Sequence, residues 1–208
     1  MADPGVRERS VQAVLDERGI RMKKIGSALG ALALLLVVSS GAPAAEIQGV
    51  TFPDTASVAG ATLQLNGVGV RTAYVFVKVY VAALYLPKKT SDAKAVIERN
   101  EPKRLTLQFL REVSHEEMND ASKEGFAKTA PSTLESEKQT FMSYFSQPLT
   151  TGTVVTFDYV PGTGTTVQIG GQEKGTIAGA DFMRALFATW LGSKPADESL
   201  KEGLLGGS

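Results

Sequence analysis

The sequence predicts an α+β domain in which an antiparallel sheet carries helices on one face. Three observations lead there. Residues 67–86, GVGVRTAYVFVKVYVAALYL, are rich in Val, Tyr and Phe, the side chains that suit a pleated, half-buried surface. The segments come in the order strands, helices, strands, helices, and most strand connections are short turns instead of crossover helices. The helical segment near the C-terminal end, FMRALFATWLG at 182–192, is strongly amphipathic, with Phe182, Leu186, Trp190 and Leu191 near one face. A pocket is expected between sheet and helix layer, where such folds leave room for a ligand.

The elements follow in order. Residues 46–52 read as a short strand ended by Pro53-Asp54. Residues 61–65 alternate apolar and polar, and Asn66-Gly67 is the strongest short-range hairpin signal. The return strand runs from Val68 to Leu86, long for one strand, so a bend or bulge is expected within it. Residues 91–100, SDAKAVIERN, read as a short capped helix. Residues 103–111, KRLTLQFLR, alternate as a strand, with Leu105, Leu107 and Phe109 on one face and Lys103 and Arg111 at the ends. Ser114 with Glu117 forms a capping box that starts a helix reaching about Lys128. Pro131-Ser132 starts another, with Leu134, Phe141, Tyr144 and Phe145 turned inward. Residues 153–160 and 165–169 form a hairpin around Pro161-Gly162-Thr163-Gly164. Residues 175–180 read as a Gly-broken crossing, Asp181 as the cap of the amphipathic helix and Gly192 as its stop. Residues 195–205 close the domain with a short helix.

Length and composition fit one globular domain: 208 residues, 43% apolar and 21% charged. The 22 basic and 22 acidic residues balance, so no nucleic-acid partner is expected, since such a surface shows clustered Lys and Arg. The absence of cysteine removes disulfides, thiolate metal sites and a Cys nucleophile. The single histidine, His115, lies on the first turn of a polar helix. The acids Glu116, Glu117, Asp120 and Glu124 read as a solvated helix face favouring its N-terminus. No metal site and no cofactor are expected.

Residues 22–45 have the three parts of a secretory signal peptide. Lys23-Lys24 precede an apolar run at 25–38, and Ala42-x-Ala44 follows as the cleavage site. The run is shorter than the ~20 residues of a membrane span. Residues 1–21 read as a non-native or mis-called extension. The domain is then 46–208, mildly acidic, exported to the periplasm or beyond, without a stable membrane anchor after cleavage, and monomeric.

Three motifs carry a resemblance to a known family. The first is Gly67-x-Gly69-x-Arg71 with Phe76-Val77-Lys78-Val79-Tyr80 and Leu84-Tyr85-Leu86. The second is the passage from Leu107-Gln108-Phe109 through Ser114 to Phe126. The third is Gly175-x-Ile177 leading into 182–192, then Pro195-x-Asp197 and Lys201-x-Gly203-Leu204-Leu205-Gly206. On these the chain resembles the chalcone isomerase-like family in its bacterial exported branch, across residues 47–206. The resemblance implies an open-faced β-sandwich. It also implies either cyclisation of chalcones or, in members without that activity, fatty-acid binding in the same cleft. The family's substrate-polarising arginine matches Arg71, and a water-ordering threonine falls at Tyr80. The tyrosine of its first long helix is replaced by Glu116 or Glu117, and the lysine and asparagine there have no match. A last Thr/Ser position falls near Lys174 or Thr176.

The candidate ligand-binding residues are therefore Arg71, Tyr80, Tyr85 and Tyr74, with Arg71 and Tyr80 the catalytic pair if the protein is an enzyme. A guanidinium inside an apolar run is costly unless an anion meets it, and its planar fork suits a carboxylate. On one straight strand, residues 71 and 80 face opposite sides and meet only across a bulge; Tyr85 shares the parity of Arg71. The expected function is non-catalytic binding of a fatty acid or similar amphipathic or aromatic ligand. The alternatives are an isomerase acting on an enone, and a partner-binding envelope protein with a vestigial cleft.

Overall fold

The computed structural model describes residues 45–74 and 76–207. The readings of 1–21 and of nearly all of 22–45 lie outside them. Nine strands and five α-helices are described. A two-stranded hairpin, β1 (Ala45–Ile47) and β2 (Val50–Phe52), precedes a seven-stranded sheet. That sheet comprises β3 (Thr55–Val58), β4 (Ala61–Ala73), β5 (Val77–Leu86), β6 (Lys103–Phe109), β7 (Val154–Val160), β8 (Gly164–Ile169) and β9 (Gln172–Ile177). Its strands lie side by side in chain order, every pair antiparallel. The helices are α1 (Ala93–Glu98), α2 (His115–Thr129), α3 (Glu135–Ser143), α4 (Ala180–Leu191) and α5 (Glu198–Leu204). The α+β architecture expected from the sequence is the one observed.

The period of two along each strand divides the apolar residues between two cores. Ala82, Leu84 and Leu86 of β5, Leu105, Leu107 and Phe109 of β6, and Phe157 of β7 meet Phe141, Phe182, Leu186 and Trp190 from the helices. On the opposite face Val81, Ala83 and Tyr85 pack with Leu63 and Leu65 under Val50 and Phe52 of the small hairpin. The helices cover the other face, as in an open-faced sandwich.

Several local expectations are corrected. The 46–52 strand is two strands, because the chain reverses at Gln48 and Gly49, both at positive φ. Asn66-Gly67 is no turn: β4 runs straight through it, with an irregularity in register between Leu65 and Gly67. The side chain of Asn66 is buried. Its Nδ2 donates to the Leu204 carbonyl at 2.7 Å and its Oδ1 accepts from Thr90 N at 2.8 Å, so it ties β4 to the end of α5. The reversal comes instead at Tyr74 to Phe76, where Phe76 N donates to Tyr74 O at 2.9 Å. The 68–86 strand is thus two paired strands. The expected Gly-broken crossing at 175–180 is the second half of β9. Asp181 does not cap α4; the capping position is Gly179, and Asp181 pairs with Arg184 at 2.7 Å in the first turn. The capping box holds as read, with Ser114 Oγ accepting from Glu117 N at 3.2 Å and Glu117 Oε2 accepting from Ser114 N at 3.0 Å.

Helix α5 lies on β4 with backbone against backbone. A Cβ at Gly67 would sit 2.2 Å from Gly203 O, and one at Gly203 would sit 2.4 Å from Val68 O. Only hydrogen fits at these crossings, which is why the motif glycines of strand and helix answer each other. The docking also carries the first turn of α5, with Asp197, up to Thr72.

Candidate functional site

A cavity of about 620 Å³ opens between the β4–β5–β6 end of the sheet, α2 and the C-terminal end of α4. That volume is in the range of small-molecule sites. Its inner wall is apolar, formed by Leu107, Phe109, Met118, Phe126, Leu186 and Trp190. Its rim is charged, with Arg71, Arg111, Lys128 and Lys194 alongside Glu117, Asp120 and Glu124. Among the described residues there is no grouping of His, Asp and Glu side chains fit to hold a metal.

Arg71 and Tyr80 both line this cavity. They are register partners across the β4–β5 hairpin, so their side chains leave the sheet on the same face. The parity argument that separated them assumed one continuous strand. The expected irregularity does exist: pairing steps from Arg71↔Tyr80 to Thr72↔Lys78, leaving Val79 without a partner on β4. Val79 and Tyr80 consequently both border the cavity.

Arg71 is not a cation awaiting its first anion, and this corrects the sequence reading. Its Nη1 donates to the Thr72 carbonyl and lies 3.4 Å from Asp197 Oδ2. The contact with Asp197 is long. Asp197 is already occupied as the cap of α5: its Oδ1 accepts from Leu200 N at 3.1 Å and Ser199 Oγ at 2.7 Å, and its Oδ2 from Thr72 N at 3.0 Å. Burial works to raise the pKa of Asp197, but these hydrogen bonds and the Arg71 charge outweigh it and hold the group below the usual carboxylate range. Nε and Nη2 of Arg71 have no partner among the described residues, and the side chain is 27% exposed. Nη1 of the guanidinium is thus spent on the fold, Nε and Nη2 are not, and the residue lines the cavity.

The Tyr80 hydroxyl accepts from Trp190 Nε1 at 2.9 Å, and its ring lies 5.5 Å from that of Phe109. Burial pushes its pKa up to about 12, against the opposing pull of Trp190 and Arg71. At neutral pH it is a phenol whose own proton has no acceptor among the described residues. It acts as a donor and not as a base.

The other candidates fall elsewhere. Tyr74 is at the cavity rim in the hairpin turn, 85% exposed. Tyr85 is buried in the opposite core, beside Leu63 and Phe52, and does not reach the cavity. Parity could place Tyr85 with Arg71 only on a single strand; the turn at Tyr74 to Phe76 removes that relation. Lys174 and Thr176 lie on edge strand β9, away from the cavity. Glu117 lines it, held below the usual carboxylate range chiefly by its hydrogen bond with Arg111. Glu116 points outward and pairs with His115.

Arg111 is a rim cation that the sequence reading set aside. It stands at the end of β6 in the parity of Leu107 and Phe109, so the alternation already aimed it at this layer. Its Nη atoms reach Glu117 and the Glu112 carbonyl, while its Nε is buried without a partner among the described residues.

The arrangement presents two donors, a guanidinium edge and a phenol, at the mouth of an apolar chamber. The rim acids are each met by a base: Glu117 by Arg111, Asp120 by Lys123 and Glu124 by Lys128. Comparison with known proteins places this architecture. No curated protein matches the sequence. Among solved structures, that of an Arabidopsis thaliana fatty-acid binding protein superposes with a TM-score of 0.61 at 17% identity, covering 76% of this chain and 92% of that one. At that identity the likeness is one of fold. The chalcone isomerase-like family itself matches residues 44–206, which take in every strand of the sheet and both sides of the cavity, and the chain belongs to that family.

Proposed function

We propose that the protein binds a fatty acid or a similar amphipathic carboxylate without transforming it. The apolar chamber takes the chain, and the free edge of Arg71 together with the Tyr80 hydroxyl takes the head group. The observation that carries this reading is the pairing of those two donors at the rim of an apolar cavity, each with hydrogen-bonding capacity unspent. Charge-assisted hydrogen bonds to a carboxylate are the strong ones. A fatty-acid binding protein with the same fold supports it. We further propose that the domain is exported by the leader at 22–45, as a member of the bacterial exported branch, and works as a monomer.

Two donors lining one cavity also suit a developing enolate oxygen, which keeps an isomerase reading in play. Against it stands the lack of a free carboxylate base among the described residues lining the cavity: the rim acids are ion-paired and Tyr80 stays protonated. Such an enzyme would rely on the substrate's own phenolate.

Protein purified under mild conditions and extracted into organic solvent tests the proposal by mass spectrometry. A stoichiometric fatty acid supports it. Turnover of a chalcone panel that is lost in Arg71→Ala would replace it with the isomerase. A stoichiometric protein partner bound equally well by Arg71→Ala, with no lipid in the extract, would leave the cavity vestigial.

A further inference from the structure

The β4–β5 turn breaks the usual chemistry of turns. Reversals are normally made by Gly, Pro, Asn, Asp or Ser, yet the residues described at this one are Tyr74 and Phe76. Tyr74 has a φ of 48°, a region costly for a large side chain. Tyr74 and Phe76 are 85% and 81% exposed, and they are the two large apolar side chains left exposed among the described residues. The small hairpin buries its apolar residues on the outer core, but this tip buries neither aromatic ring. Its position is equally specific, since Tyr74 lies on the rim of the cavity. Two lysines belong to the elements around it: Lys78 on the same hairpin and Lys194 in the lining of the same cavity as Tyr74. Neither has an ion-pair partner among the described residues; Lys78 donates to the neutral Gln48 at 2.6 Å.

We infer that this aromatic tip inserts into the surface of an anionic phospholipid bilayer, setting the cavity mouth against the membrane so that a lipid acid passes between bilayer and chamber. The choice of a bilayer rests on area and chemistry. Two aromatic side chains offer roughly 300–500 Å², less than the ~800 Å² per partner of a stable protein interface. The surrounding rim is charged and does not extend the patch. A protruding Phe flanked by a Tyr, whose ring is apolar and whose hydroxyl stays wet, matches the interfacial zone of a membrane. Lys78 on the same hairpin and Lys194 on the cavity rim, without an ion-pair partner among the described residues, add attraction to anionic headgroups. The insertion is peripheral and reversible. The inference rests on the proposed lipid-acid ligand for its purpose, but not for its test.

Phe76→Trp in the full chain places an indole on the tip; Trp190, buried in the cavity wall, also responds to a bound lipid acid, so the protein carrying Trp190 alone is titrated in parallel and its signal subtracted. With vesicles containing phosphatidylglycerol, the added emission is expected to move to shorter wavelength and to be quenched by brominated acyl chains. Lys78→Gln with Lys194→Gln is expected to weaken that response several-fold. In the Phe76→Ser variant, whose altered residue does not line the cavity, transfer of a fluorescent fatty acid from vesicle to protein is expected to slow several-fold, with its equilibrium affinity in vesicle-free buffer unchanged. Emission from the introduced indole that ignores both neutral and anionic vesicles overturns the inference. A shift that needs no vesicles and grows with protein concentration also overturns it, in favour of a contact between copies. Quenching without any fatty-acid affinity keeps the membrane contact and removes the proposed ligand; affinity without quenching does the reverse.

Discussion

Arg71 and Tyr80 face each other across the β4–β5 hairpin as direct register partners, and both reach the same cavity. A cross-strand pair of this kind is fixed by the backbone ladder, so the two donors keep their spacing without help from a loop. Their partners come from the two helices that close the fold. Trp190 of α4 donates to the Tyr80 hydroxyl and leaves its proton free. Asp197 ahead of α5 occupies one edge of Arg71 and leaves the other.

Asp197 competes weakly with a ligand carboxylate for Arg71. The pair is partly buried but long, and a contact of this length contributes on the order of 1 kcal/mol. Asp197→Asn removes the charge and can keep the cap, since Asn caps helices as well as Asp does. The expected outcome by titration calorimetry is fatty-acid affinity raised roughly fivefold, with the melting temperature lowered by a few degrees at most. Weakened affinity would show that Asp197 orients Arg71 for the ligand and does not compete with it.

The docking of α5 depends on the missing side chain of Gly203. A Cβ there meets the Val68 carbonyl, which is backbone and cannot step aside. Gly203→Ala is expected to cost about 2 kcal/mol, as overpacking does, and to lower the melting temperature by roughly 4–8 °C. Glu202→Ala, one position earlier and exposed, should change stability by less than about 0.5 kcal/mol. Thermal denaturation of the two variants side by side checks this.

Lys103 is fully buried between sheet and helices, with its Nζ on the carbonyls of Val96 and Arg99 and 5.7 Å from the centre of the Phe187 ring. Burial pushes its pKa down from 10.5 to about 8. Between those two values the unfolded chain still holds a proton that the folded chain has released, so stability rises with pH across that window. From pH 7 to pH 10 this one group should add about 2–3 kcal/mol. Lys103→Met removes the effect. The stability of the variant relative to the native protein, from urea unfolding, should therefore fall by that amount between pH 7 and pH 10. An offset that is constant with pH would mean that the ammonium keeps its ordinary affinity for the proton.

The sheet and helices were legible because their signals are local: alternation in 103–109, the capping box at Ser114, the amphipathic stripe of α4. The hairpin that builds the site was misread for a physical reason. Asn66-Gly67 has the composition of a turn, but Gly67 is small to admit α5, and Asn66 is polar to bond Leu204 and Thr90. Both demands come from residues more than a hundred positions away in the case of α5. The true turn at Tyr74 to Phe76 carries no turn residue. That single displacement made parity on one strand favour Tyr85 and admit Tyr80 only across a bulge, whereas across the hairpin Tyr80 is the register partner of Arg71. Asp197 was visible as part of a motif, but its meeting with Arg71 depends on the docking of α5 and has no local trace.

Head-group selectivity tests the central claim most directly. Calorimetric titration with palmitic acid and with hexadecanol separates the charge from the tail, since the two share a chain and differ in the group offered to Arg71. The native protein should prefer the acid by about tenfold or more, the worth of a charge-assisted hydrogen bond. Arg71→Ala should bind both alike, at the affinity of the alcohol. Equal binding of acid and alcohol by the native protein, or an acid preference that survives in Arg71→Ala, would contradict it.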